Sequence, residues 1–231
     1  MAKMGKRHKA NVAKAPDKPA SVAEAVAALR QFGQTKFDQT VELTMHLGID
    51  PRQADQALRG SMSLPNGIGK TRKVIAFCEG DDVEAAQAAG AVEAGGEELV
   101  KKIQDGWTDF DVAIAHPAMM KVVSRLGRVL GPQGKMPSPK GGTVTPDVAA
   151  AVKEFAAGKV EYRNDDGGNL HVPVGKMSFE DAKLIENIET FIAFVRKIKP
   201  ATTKGAYIRK VCLSATMTPA VVLDTQQGRP Q

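Results

Sequence analysis

Two kinds of extended segment occur in this chain of 231 residues, and they call for two different sheets. Thr40-Val41-Glu42-Leu43-Thr44-Met45-His46-Leu47 alternates polar and apolar side chains, the pattern of a strand with one face in a core and the other in water. Lys73-Val74-Ile75-Ala76-Phe77-Cys78 and Asp111-Val112-Ala113-Ile114-Ala115 are almost continuously apolar, as parallel strands covered on both faces are. Extended segments return late in the chain, at Val160–Arg163, Leu170–Val174 and Tyr207–Thr216, the last strand expected. The apolar kind is confined to the middle, where it alternates with helical stretches. The fold class that follows is an α+β domain built from both termini and interrupted by an inserted α/β, Rossmann-like domain.

The expected boundaries are 1–68 plus 160–231 for the first domain and 69–159 for the insert. Residues 1–19 are basic and broken by Pro16 and Pro19, which predicts a flexible arm. Ser21 opens a helix, with Glu24 at capping-box spacing and Val22, Val26 and Leu29 on one face. Within the insert, helices are expected over 82–89, 96–104, 117–126 and 147–157, with a short strand at Ala91-Val92. A long amphipathic helix from Ser178 to Lys199 carries Phe179, Leu184, Ile188, Phe191, Ile192 and Val195 on its apolar side and stops at Pro200. Gly67, Gly69 and Gly158, at the two chain crossings, are the expected hinge.

The formal net charge of +6 is unevenly spread. Residues 1–68 hold ten Lys+Arg against six Asp+Glu, residues 69–159 twelve of each, and residues 160–231 ten against eight. The whole excess therefore lies in the outer thirds, giving one basic and one neutral domain, and a basic domain suits a polyanionic partner. Cys78 and Cys212 sit in apolar runs and read as buried reduced thiols. No stretch is apolar enough to span a membrane, and the basic start is followed by no hydrophobic segment of the secretory kind.

Catalytic and cofactor motifs fail on spacing. Gly69-Lys70-Thr71 ends like a phosphate-binding loop, but Leu64 stands where that motif needs glycine, and a strand follows where a helix should. After the first strand of the insert, Glu79-Gly80-Asp81-Asp82 puts acids where a dinucleotide phosphate would sit. His8, His46, His116 and His171 are scattered, with no metal-ligand spacing. The expectation is no enzyme, no cofactor and no metal; the alternative reading is a nucleotide-dependent enzyme using the insert.

Three stretches suit RNA. Leu126–Gly142 is rich in Gly and Pro and holds Arg128, Lys135 and Lys140 with no acid; with Gly131 and Gly134 freeing backbone amides it suits phosphate contacts. Lys36-Phe37 sets a cation beside an aromatic, for phosphate and for base stacking, against the plainer reading of Phe37 as core. Ser214-Ala215-Thr216-Met217-Thr218 offers hydroxyls for ribose and a thioether for a base face.

The sequence resembles the L-one family of large-subunit ribosomal proteins, the proteins of the mobile stalk beside the exit site. The resemblance runs through Leu47-Gly48-Ile49-Asp50, Gln56-Ala57-Leu58-Arg59-Gly60 and Leu64–Gly69, and through Gly127–Pro137 with Gly142-Thr143-Val144-Thr145. It continues in Tyr162-Arg163-Asn164-Asp165, Lys204-Gly205-Ala206-Tyr207 and Ser214-Ala215-Thr216-Met217. It implies the same split topology, direct binding of 23S rRNA at the stalk, and a part in movement and release of tRNA at the exit site (E site). It also implies repression of the protein's own operon through its mRNA, and a monomer in the cytoplasmic ribosome. RNA contacts would fall on Lys36, Phe37, Thr40, Glu42, His171, Ser214, Thr216, Met217 and Thr218, with the Gly/Pro loop secondary. At Thr218 the sequence departs from the family, which usually has glycine there.

Overall fold

The computed structural model describes residues 5–33 and 35–224. Its helices are α1 (Lys6–Val12), α2 (Val22–Gln31), α3 (Asp81–Ala88), α4 (Glu97–Gln104), α5 (Met120–Val123), α6 (Gly127–Leu130), α7 (Val148–Ala156) and α8 (Asp181–Lys197). Its strands are β1 (Thr40–Leu47), β2 (Arg59–Met62), β3 (Val74–Phe77), β4 (Glu93–Gly95), β5 (Val112–Ala115), β6 (Val160–Arg163), β7 (Asn169–Lys176), β8 (Ile208–Ala215) and β9 (Val221–Leu223). The chain divides into two compact units. Of the described residues, one comprises 5–33, 35–59, 64–69 and 162–224; the other comprises Gly60–Ser63 and Lys70–Glu161. The short excursion at Gly60–Ser63 makes four crossings where two were expected, and two of the four, after Arg59 and after Glu161, fall within β2 and β6.

In the first unit the sheet order is β7-β1-β8-β9, antiparallel throughout. Alternation in β1 sends Val41, Leu43, Met45 and Leu47 inward, where they meet Val172, Leu213 and Val211 of the neighbouring strands. Two helices supply the rest of this core: Ala25, Val26 and Leu29 from α2, and Leu184, Ile188, Phe191 and Val195 from α8. Ser21 and Glu24 form the expected capping box, Ser21 Oγ accepting from Glu24 N at 3.3 Å and Glu24 Oε2 from Ser21 N at 2.9 Å. Asn187 is fully buried on the apolar face of α8. Its Nδ2 donates to Val174 O at 2.8 Å and Gly67 O at 3.0 Å, and its Oδ1 accepts from Asn66 N at 3.1 Å, so the polar side chain binds the Pro65–Gly69 loop to the helix.

In the second unit β4-β3-β5 form a parallel sheet. Ile75, Phe77, Ala113 and Ala115 point to one side, packing with Leu99, Val100 and Ile103 of α4 and with Val123, Leu126 and Leu130. Val74, Ala76, Val112 and Ile114 point to the other, packing with Ala86 of α3 and with Val148, Val152 and Phe155 of α7. Covering both faces is what makes these strands apolar throughout.

Several expectations need correction. Within the arm, residues 1–4 lie outside the described residues, but Lys6–Val12 is helical because Asn11 Oδ1 accepts from Gly33 N at 2.9 Å and pins it. Ala91-Val92 is not the strand; pairing begins at Glu93, opposite Ile75, after the turn at Gly90. The helix expected over 117–126 is broken into 3-10 turns at Pro117–Met119 and Ser124–Leu126 around α5, with Ser124 Oγ bonding Lys121 O at 2.7 Å in competition with the helical ladder. The first residues of the supposed loop, Gly127–Leu130, form α6 because Leu130 is buried. Helix α8 starts at Asp181, not Ser178: the Arg30 guanidinium bonds the carbonyls of Met177 and Phe179 and holds that stretch out of the helix. Tyr207–Thr216 is not the last strand, since β9 follows it. Cys212 is half-buried on the sheet's outer side, whereas Cys78 is fully buried.

Candidate nucleic-acid interface

The helices leave one face of the first unit's sheet uncovered. Alternation places Thr40, Glu42, Thr44 and His46 of β1 on that face, all partly exposed. Antiparallel register sets Thr44 between His171 of β7 and Cys212 of β8, and Glu42 between Pro173 and Ser214. His171 Nδ1 lies 3.4 Å from both Glu42 Oε1 and Thr44 Oγ1, and its Nε2 lies 3.7 Å from Asp165 Oδ2. Asp165 Oδ1 accepts from Gly167 N at 2.9 Å and Asn169 N at 2.7 Å, and Oδ2 accepts from Asn169 Nδ2 at 3.0 Å. The Asn169 side chain and backbone, with smaller help from Gly167 and His171, hold that carboxyl below the usual carboxylate range.

At one end of this face the two chain segments meet directly. Thr216 Oγ1 accepts from Thr40 N at 3.1 Å, and Thr216 N donates to Thr40 O at 3.1 Å. Met217 N donates to Gln39 Oε1 at 3.0 Å; Gln39 is itself buried, and its carbonyl accepts from Met177 N at 2.8 Å. Lys176 Nζ donates to Thr40 Oγ1 at 2.7 Å. Phe37 is 52% exposed and Met217 is 49% exposed, so the reading of Phe37 as core is overturned. Both are among four large apolar side chains exposed in the described residues, with Val12 and Val92. Beside Phe37 is a shallow cavity of about 210 Å³ lined by Phe32, Gln39, Met177 and Ser178. Lys36 is exposed next to it.

Thr218 takes an ordinary negative φ, as do all non-glycine residues described. Its hydroxyl accepts from Ala215 N at 2.9 Å and reaches Ala215 O at 3.3 Å, while its amide donates to Ala215 O at 3.0 Å. The side chain that replaces the family glycine thus closes the turn presenting Thr216 and Met217. Sequence reasoning passed over Thr44, Lys176 and Gln39, and met Asp165 only within a stretch that matches the family. The even-numbered alternation of β1 contained the signal for Thr44; Gln39 and Lys176 depend on pairing across more than a hundred residues, and Asp165 on a turn closed within four.

In the second unit Arg128 and Lys140 are exposed, as are Gly131 and Gly134. Lys135 is turned inward: its Nζ donates to Thr108 O at 2.9 Å and lies 4.9 Å from the centre of the Phe110 ring, so its ammonium is occupied in holding the loop. The three glycines expected to form a hinge have φ of 62° (Gly67), 70° (Gly69) and 107° (Gly158). Gly69 is tightly set, since a Cβ there would come within 2.6 Å of Phe179 Cε1. Among the described residues no group of three or more His, Cys, Asp and Glu is arranged to hold a metal ion, and no helix is long and apolar enough to cross a membrane.

The open sheet face and its edge thus carry hydroxyls, a cation and two exposed apolar tips. Residues 29–219 match the model of the ribosomal protein L1p/L10e family, and the chain belongs to that family. Its members are structural rather than enzymatic proteins, and the family places this chain in the large ribosomal subunit, where it binds ribosomal RNA.

Proposed function

We propose that this protein caps the mobile stalk of the large subunit by holding 23S rRNA on the open sheet face of its first unit. The observation that carries the reading is the double hydrogen bond between Thr40 and Thr216, which joins the N-terminal turn and the end of β8 beside two exposed tips, Phe37 and Met217. Hydroxyls of Thr40, Ser214 and Thr216 are suited to ribose 2′-hydroxyls, and Glu42 and His171 to base edges. Phe37 and Met217 are suited to unstacked bases, and Lys36 to phosphate. The turn closed by Thr218 positions Thr216 and Met217. Arg128 and Lys140, with the backbone at Gly131 and Gly134, make a secondary contact, and Lys135 supports the loop that carries it.

On this reading the second unit is a Rossmann-like layer without a nucleotide site, and motion at Gly67, Gly69 and Gly158 lets it swing as the stalk moves E-site tRNA towards release. Binding of a similar fold in the protein's own mRNA represses the operon. The protein acts as a monomer on the cytoplasmic ribosome.

The test is affinity for a transcript of the stalk segment of 23S rRNA at several salt concentrations. Tight binding to the transcript over random duplex RNA of equal length is expected; equal binding to both would end the reading. Phe37→Ala is expected to weaken binding roughly tenfold or more, the scale of one lost stacking contact. Thr216→Ala with Met217→Ala is expected to weaken it further, and undiminished affinity in that pair would remove the proposed face.

A further inference from the structure

The N-terminal helix carries more positive charge than the protein itself satisfies. Residues 5–16 contain Lys6, Arg7, Lys9 and Lys14 and no acid. Lys6, Arg7 and Lys9 are exposed and have no ion-pair partner among the described residues. Lys6 and Arg7 also occupy the first turn of α1, which holds no acidic residue, so the helix dipole opposes them. A seven-residue helix is marginal on its own, yet this one is fastened. Asn11 is 98% buried against Gly33 and accepts its N–H, the stem of Arg7 runs alongside Gly33, and Lys14 Nζ reaches Gln31 O at 3.3 Å.

The place of fastening matters. Gly33 precedes Phe37 by four residues, at most about 14 Å of chain. The helix is therefore anchored a short stretch of chain before the exposed Lys36 and Phe37. The helix has no apolar stripe, since Val12 is its one large apolar residue, so it does not suit a membrane surface.

We propose that α1 is a phosphate-binding arm that extends the open sheet face beyond Phe37, with Lys6, Arg7 and Lys9 contacting the backbone of the same RNA. This rests on the rRNA reading above. The arm supplies affinity that is independent of base sequence, while the sheet face supplies selection. Asn11 is a positioning residue that sets the arm against Gly33.

The experiment compares full-length protein with Lys6→Ala/Arg7→Ala/Lys9→Ala on the stalk rRNA transcript, following log affinity against log salt. Losing three phosphate contacts is expected to flatten the slope by about 2 and to lower affinity tenfold or more at low salt, with preference over random duplex unchanged. Alanine favours helix, and Asn11 and Lys14 keep their bonds to Gly33 and Gln31, so α1 persists in this variant. Lys6→Arg/Lys9→Arg keeps the charges and is expected to keep the wild-type slope; a loss there as large as in the alanine variant would overturn the proposal by making the effect one of structure. An unchanged slope in the alanine variant, with the wild type still selective, overturns the arm alone. A wild type without selectivity overturns the rRNA reading and the arm with it.

Discussion

Tyr207 illustrates how a single group can carry a pH dependence unrelated to binding. Its ring is buried, its hydroxyl has no hydrogen-bond partner among the described residues, and burial, with Tyr162 nearby, raises its pKa to about 12. The neutral form is the one the fold favours. The stability tied to it is therefore fully present below the unfolded value near 10 and is lost as pH rises towards 12, a loss of about 2 to 3 kcal/mol. Tyr207→Phe is expected to be at least as stable as the wild type at pH 7, since it removes a buried hydroxyl without a partner, and to lack this alkaline decline. Denaturant unfolding of both proteins between pH 9 and 12 checks it through their difference, which cancels the titration of the lysines. At this scale the sequence was a partial guide. Thr40, Glu42, His171, Ser214 and Thr216 were legible as one group only through the family resemblance. The exposure of Phe37 was not legible, because residue type favours burial and its position depends on where the turn before β1 is anchored. Nor was the inward turn of Lys135, whose partners Thr108 and Phe110 lie more than twenty residues earlier.

Among the elements, α8 depends on a polar residue placed inside its apolar face. Asn187→Ala would leave Asn66 N, Gly67 O and Val174 O without their present partner. Each such buried group costs about 1–3 kcal/mol, offset in part by relaxation and water, so a loss of roughly 2 to 4 kcal/mol is expected in chemical denaturation. The same variant is expected to release the Pro65–Gly69 loop, seen as faster amide exchange at Gly67. The capping box of α2 and the alternation of β1 were readable because they are local patterns. The broken helix after Pro117, the delayed start of α8 and the three residues of β9 were not. The start of α8 is set by a distant partner, through the Arg30 contacts with Met177 and Phe179; β9 is too short to show periodicity; and the break after Pro117 goes with the bond Ser124 makes to Lys121 O, which residue type does not reveal.

For the whole molecule, two separate cores divide the labour of stability. Phe155 is fully buried against Val74, Ala76 and Ile114 in the second unit. Phe155→Ala is expected to cost that unit about 3–5 kcal/mol, read as an earlier calorimetric transition, while affinity of the full chain for stalk RNA holds if the first unit carries the contact. The contrast between alternating and continuous apolar strands made two sheets legible from sequence. The excursion of Gly60–Ser63 was hidden because β2 is short and polar, with its glycine buried and its flanks open.

The strict inside–outside alternation of β1 has an evolutionary consequence. One inserted or deleted residue would turn Val41, Leu43 and Met45 out to water and drive Thr40, Glu42 and Thr44 into the core. Substitutions can be absorbed one at a time along this strand, but a change in its length cannot. Related genes should therefore drift in spelling here while keeping the same number of codons between the turn at Phe37 and the bend at Gly48.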